Sequence, residues 1–117
     1  MLEISRSEFE ELVSDALDGV PAQLQALISN VVVLVEEESP AGERVDLLGL
    51  YEGIPLTERD TSYSGVLPDR ITVYRGPVLR MCATREEAVD EIRITVVHEI
   101  AHHFGIDDDR LHELGYG

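Results

Sequence analysis

At 117 residues the chain has room for one modest hydrophobic core and none for two lobes, so a single domain spanning 1–117 is expected. Hydrophobic residues make up 44% and charged residues 28%, a normal globular balance, yet nine Lys+Arg against 24 Asp+Glu leave a net charge of −15. Such a surface repels nucleic acid and anionic membranes, which argues against both as partners, and it favours cationic or neutral substrates and divalent cations.

Cys82 is the single cysteine, which excludes an intrachain disulfide and a zinc-finger cysteine set; a buried, inert thiol is expected. Met1-Leu2-Glu3-Ile4-Ser5 shows no basic stretch followed by an apolar run, so no signal peptide is read there. The longest purely apolar run, Val31 to Val35, is too short to span a bilayer, and a soluble cytoplasmic protein is the expectation.

In chain order, Ser5 and Ser7 each precede a glutamate by three residues (Glu8 and Glu10), the signature of a helix N-terminus. Phe9, Leu12, Val13, Ala16, Leu17 and Val20 then recur on one helical face, with Gly19 and Pro21 ending the segment. Pro21 can open a short second helix through Leu24, Leu27 and Ile28. Val31–Val35 is short and β-branched, a buried strand, and Glu36-Glu37-Glu38 reads as its solvated end, not a metal site.

A second strand is read at Leu47–Tyr51, then a long loop from Gly53 to Asp69, then a third strand at Ile71–Tyr74. Gly76-Pro77 punctuates the chain before a short turn of helix from Val78 to Cys82. Thr84 with Glu87 caps the longest helical segment, Arg85 to Phe104, whose apolar positions are broad enough to bury most of it. Gly105 stops that helix in the left-handed conformation, and Asp107 to Leu114 forms a last short helix.

The chemistry is concentrated at the end of the long helix, in His98-Glu99-Ile100-Ala101-His102. Two histidines four residues apart lie about 40° apart around a helix and one turn along it, so both imidazoles can reach one ion. Zinc suits two imidazoles plus one carboxylate, with the fourth position left for water. Asp108, three residues past Gly105, is the expected third ligand, which extends the motif to HExxHxxGxxD. Glu99 is the expected general base, taking the proton of the attacking water and passing it to the leaving amine.

Asp107 or Asp109 could replace Asp108, and His112 could be a fourth ligand, a hydrogen-bonding neighbour of the metal, or a plain helix residue. Glu113 is a weaker candidate. His103 points roughly 100° away from His102 and is read as a surface residue or a support to the ligands. Tyr63, Tyr116 and Arg110 have the right chemistry to hold an oxyanion, but nothing in the sequence singles one out.

The stretch Thr95–Gly117, TVVHEIAHHFGIDDDRLHELGYG, resembles the small bacterial minimal zincin-like metallopeptidases. The resemblance implies an α+β fold: a small, mostly antiparallel or mixed sheet packed on helices, with the motif helix central. It implies zinc as cofactor, His98, His102 and Asp108 as ligands, Glu99 as catalytic base, and a peptide or protein as substrate. A metzincin is disfavoured, because Asp108 stands where that class has a third histidine and both methionines, Met1 and Met81, precede the motif. A thermolysin-like enzyme takes its glutamate from a separate later helix, and only 15 residues follow His102. With no second lobe to wall a cleft, a peptide could add to a sheet edge, either Val31–Val35 or Ile71–Tyr74; otherwise the loop Gly53–Asp69 must cover the site or move aside. The alternative is a non-catalytic module in which zinc ties the C-terminal segment to the long helix.

Overall fold

The computed structural model describes residues 2–28, 31–39, 47–53 and 69–116, with Asp108 described by its backbone alone. The expected loop between Gly53 and Asp69, including Tyr63, lies outside these residues. In chain order the described elements are α1 (Arg6–Asp18), α2 (Ala22–Gln25) with a 3₁₀ turn (Ala26–Ile28), β1 (Val31–Glu36), β2 (Gly49–Glu52), β3 (Asp69–Tyr74), α3 (Arg75–Met81), α4 (Arg85–Phe104) and α5 (Asp108–Glu113). This is the expected α+β class, with a small mixed sheet packed on helices.

The helix starts follow from local chemistry. Ser5 accepts the Glu8 N–H at 3.2 Å and caps α1, while Ser7 falls inside the helix. Thr84 accepts the Glu87 N–H at 3.1 Å and caps α4. Such caps stabilise a helix by about 1 kcal/mol each, because each satisfies an amide that the helix itself leaves unpaired. Helix α3 starts earlier than its sequence suggested. Gly76 and Pro77 lie in its first turn, where proline needs no amide partner and its fixed φ already suits a helix.

The strand order is β1-β3-β2, with β1 parallel and β2 antiparallel to β3. Ile71–Tyr74 therefore belongs to the central strand and offers no free edge; among the described strands the edges are β1 and β2. One face of the sheet and the helices enclose the core. Phe9, Leu12, Val13 and Ala16 of α1 pack with Ala88, Ile92, Val96, Val97, Ile100 and Ala101 of α4, and with Ile71 and Val73 of β3. The motif helix is thus central, as expected.

Glu37 and Glu38 do not simply fade into solvent. Glu37 accepts from Arg75 at 2.7 Å, and Glu38 takes both guanidinium nitrogens of Arg80 at 2.6 and 3.0 Å. The Arg80 guanidinium holds the Glu38 carboxyl below its ordinary range. These pairs tie the end of β1 to α3.

Cys82 is buried in the core cluster. Burial first, and then the anionic Glu91 and Glu87, push its thiol above its ordinary pKa. Thiolate is the reactive species, so native protein should react with a disulfide reagent at least about 100-fold more slowly than urea-unfolded protein. Comparable rates in the two states would show that the thiol is accessible.

Candidate metal centre and general base

Helix α4 carries the motif on its last turns. Ile100 and Ala101 are fully buried and hold this end of the helix in the core, while His98 and Glu99 are half-buried and His102 is exposed. The His98 and His102 ring centroids lie 6.4 Å apart with planes at 77°. Imidazoles sharing one tetrahedral zinc have centroids about 5 Å apart, given a metal–nitrogen bond of about 2.0–2.1 Å. The observed separation is wider, so the two rings would have to turn toward each other to share one ion.

Past the helix, Gly105 adopts φ 69° and ψ 30°, as its position predicted. The Gly105 and Ile106 amides both donate to the Ala101 carbonyl, which turns the chain back beside the motif. Asp107 caps α5, its Oδ1 accepting the Arg110 N–H at 2.9 Å. One of its carboxylate oxygens is thereby occupied, which weakens it as a ligand. Asp108 is the first residue of α5, and its side chain lies outside the described set. Asp109 and His112 are exposed, and Glu113 pairs with Arg110 at 2.9 Å. Among the described residues no three His, Cys, Asp or Glu groups converge on one cation position.

Glu99 has a partner that sequence reasoning missed. Its Oε2 accepts the backbone N–H of Tyr51 at 3.2 Å. The sheet register explains why. Tyr74 N–H donates to Leu48 O at 2.9 Å, so alternation turns the backbone groups of Gly49 and Tyr51 away from β3, toward the outer edge. Helix α4 packs against β2 on this side. A Cβ on Gly49 would sit 2.8 Å from Thr95 Cγ2 and 3.0 Å from the Thr72 carbonyl oxygen. Gly49→Ala should therefore force β2 and α4 apart and cost roughly 1–3 kcal/mol, readable in urea unfolding. An unchanged midpoint would show that the strand has room to move.

Two clefts meet at His98. One of about 250 Å³ runs beside β2 and is lined by Leu48, Gly49, Thr95, His98 and Glu99 among others. The other, of about 550 Å³, lies toward the chain end between His98, Arg93, Leu114 and Tyr116. Tyr116, one of the three oxyanion candidates, therefore borders the motif, whereas the Arg110 guanidinium is engaged by Glu113.

Residues 28–117 match the family model of the zincin-like metallopeptidases, covering the sheet, α3, the motif helix and α5. The chain belongs to that family. A similar fold is seen in a solved structure, a conserved hypothetical protein from Thermo thermophilus. It is 23% identical, with a TM-score of 0.55 over 86% of this chain and 94% of that one. No curated protein matches the chain. No helix among the described residues of this zincin-like chain is long and apolar enough to cross a membrane.

Proposed function

We propose that this zincin-like chain is a zinc-dependent metallopeptidase, with Glu99 as general base and His98, His102 and Asp108 as ligands. The observation that carries the reading is the juxtaposition, one turn apart on one helix, of two imidazoles with centroids 6.4 Å apart and a half-buried carboxylate beside the first. Bound zinc would supply positive charge to polarise the scissile carbonyl and to bring the pKa of water near neutrality.

The chain's own groups do the rest. Glu99 accepts a proton from the water as the water oxygen bonds to the carbonyl carbon. It then returns that proton to the amide nitrogen as the C–N bond breaks, leaving an acid and an amine. The Tyr51 N–H holds one carboxylate oxygen and leaves the other to carry the proton. Tyr116 stands at the neighbouring cleft, where a hydroxyl donor can meet the developing oxyanion.

A peptide substrate would lie in extended form beside β2, paired with the outward-facing backbone at Gly49. That position would put its chain across the cleft that His98 and Glu99 line. The edge assigned here is β2 because Glu99 contacts that strand, whereas β1 lies across the sheet from it.

The test is metal analysis of protein purified without added metal, paired with a peptide-library cleavage screen with and without a chelator. One zinc per chain with chelator-sensitive cleavage is expected. Stoichiometric zinc with no cleavage across the library would replace this reading with a non-catalytic module in which zinc ties α5 to α4.

A further inference from the structure

His103 and Asp69 are not needed for zinc or for proton transfer, yet they are built around the same strand as the base. The His103 ring stacks on Tyr51 with centroids 3.9 Å apart and planes within 17°. The Tyr51 hydroxyl donates to Asp69 Oδ2 at 2.8 Å, and His103 Nε2 lies 3.8 Å from the same oxygen. Phe104 closes the group edge-on, 6.1 Å from Tyr51 and 5.0 Å from His103. A Cβ on Gly53 would lie 3.0 Å from His103 Cε1, so a bare backbone there lets the imidazole sit under the end of the strand. Asp69 opens β3, Tyr51 is the third residue of β2, and His103 is in the last turn of α4. Three elements therefore meet at one ring stack.

The geometry points to His103, Tyr51 and Asp69 as a clamp that positions the Glu99 carboxylate through the Tyr51 backbone N–H. Strand β2 has only four residues and is an edge strand among the described strands, the kind of element that opens most readily. A glutamate side chain has several rotamers, and a general base works only within hydrogen-bond reach of its proton. Fixing the Tyr51 N–H against α4 removes that freedom from Glu99 before substrate arrives. His103 and Asp69 touch no reacting atom, so they are positioning residues. This assignment rests on the reading of Glu99 as base, but the clamp itself is a structural claim that can be read without substrate.

The experiment measures amide hydrogen exchange in the full chain by NMR, at one pH, for wild type, His103→Ala and His103→Phe. His103→Ala should speed exchange of the Tyr51 amide at least tenfold while leaving the Ile71 and Val73 amides within about twofold of wild type. His103→Phe keeps a flat ring on Tyr51 and should restore protection at Tyr51 to within about twofold. If His103→Ala does not fold, Tyr51→Leu removes the same stack and should expose the amide at position 51 equally.

With a cleaved peptide in hand, His103→Ala should lower kcat about tenfold with KM unchanged, and His103→Phe should recover it. Unchanged Tyr51 exchange in His103→Ala, or a uniform rise across the whole sheet, would overturn the clamp. A KM effect without a kcat effect would do the same. Failure of the peptidase reading shows separately, as no turnover by wild type, and leaves the exchange result standing.

Discussion

Glu99→Gln is expected to lower peptide turnover by about 10²–10⁴-fold, the usual contribution of a positioned general base, with zinc content unchanged. Glutamine keeps the length and shape of the side chain, and its carbonyl oxygen can still accept the Tyr51 N–H that Glu99 accepts at 3.2 Å. The strand contact therefore survives, and only the ability to take a proton is lost. His98→Ala is the contrasting change: it removes one of the two imidazoles on the helix and should lose zinc and activity together. Metal analysis and steady-state kinetics on the two variants separate proton transfer from metal binding. Equal turnover in Glu99→Gln and wild type would remove Glu99 from the mechanism.

Phe9→Ala should have the largest effect on the fold, about 3–5 kcal/mol, from lost burial plus the cavity left behind. Phe9 is fully buried in α1 within the cluster that includes Ile92, Val96 and Ile100 of α4. A domain of this kind is held by only about 5–15 kcal/mol in total, so the loss is a large share of its stability. Removing the Ser5 cap at the start of the same helix should cost only about 1 kcal/mol, because it exposes one amide to water instead of emptying core volume. The comparison is made by urea unfolding followed by circular dichroism. A Phe9→Ala midpoint no lower than that of Ser5→Ala would mean that α1 is not an essential wall of the core. Because α1 packs along α4, and its C-cap Gly19 borders the cleft that His98 lines, weakening it should also loosen the two imidazoles.

Local order was legible wherever period and caps agree. The Thr84–Glu87 pair, the apolar positions through Ala101 and the left-handed Gly105 mark the bounds of α4, and these signals act over a few residues. The same holds for α1, where Ser5, not Ser7, is the cap: both serines have the right spacing, and only Ser5 stands outside the helix. Where signals compete locally the reading slipped. Gly76-Pro77 looked like a break because both residues disfavour helix interiors, yet the first turn of α3 tolerates them.

From the residues alone came a helix with His98 and His102 one turn apart and Glu99 beside the first of them, since helical geometry fixes such spacings without reference to the rest of the chain. The α+β class came from the resemblance that this motif carries. Three-dimensional packing decided which strand is central. A run such as Val31–Val35 states that it is extended but says nothing about its neighbours, and pairing partners lie tens of residues away. It reads as a buried strand, yet as an edge among the described strands it buries only Val35 and leaves Val32 and Leu34 exposed. Packing also decided what surrounds the base. Tyr51 precedes Glu99 by 48 positions, and no periodicity links it to His103 or Asp69. Only folding β2 against the last turns of α4 brings an edge amide to that carboxylate, because the contact depends on strand register and on the space left by Gly49.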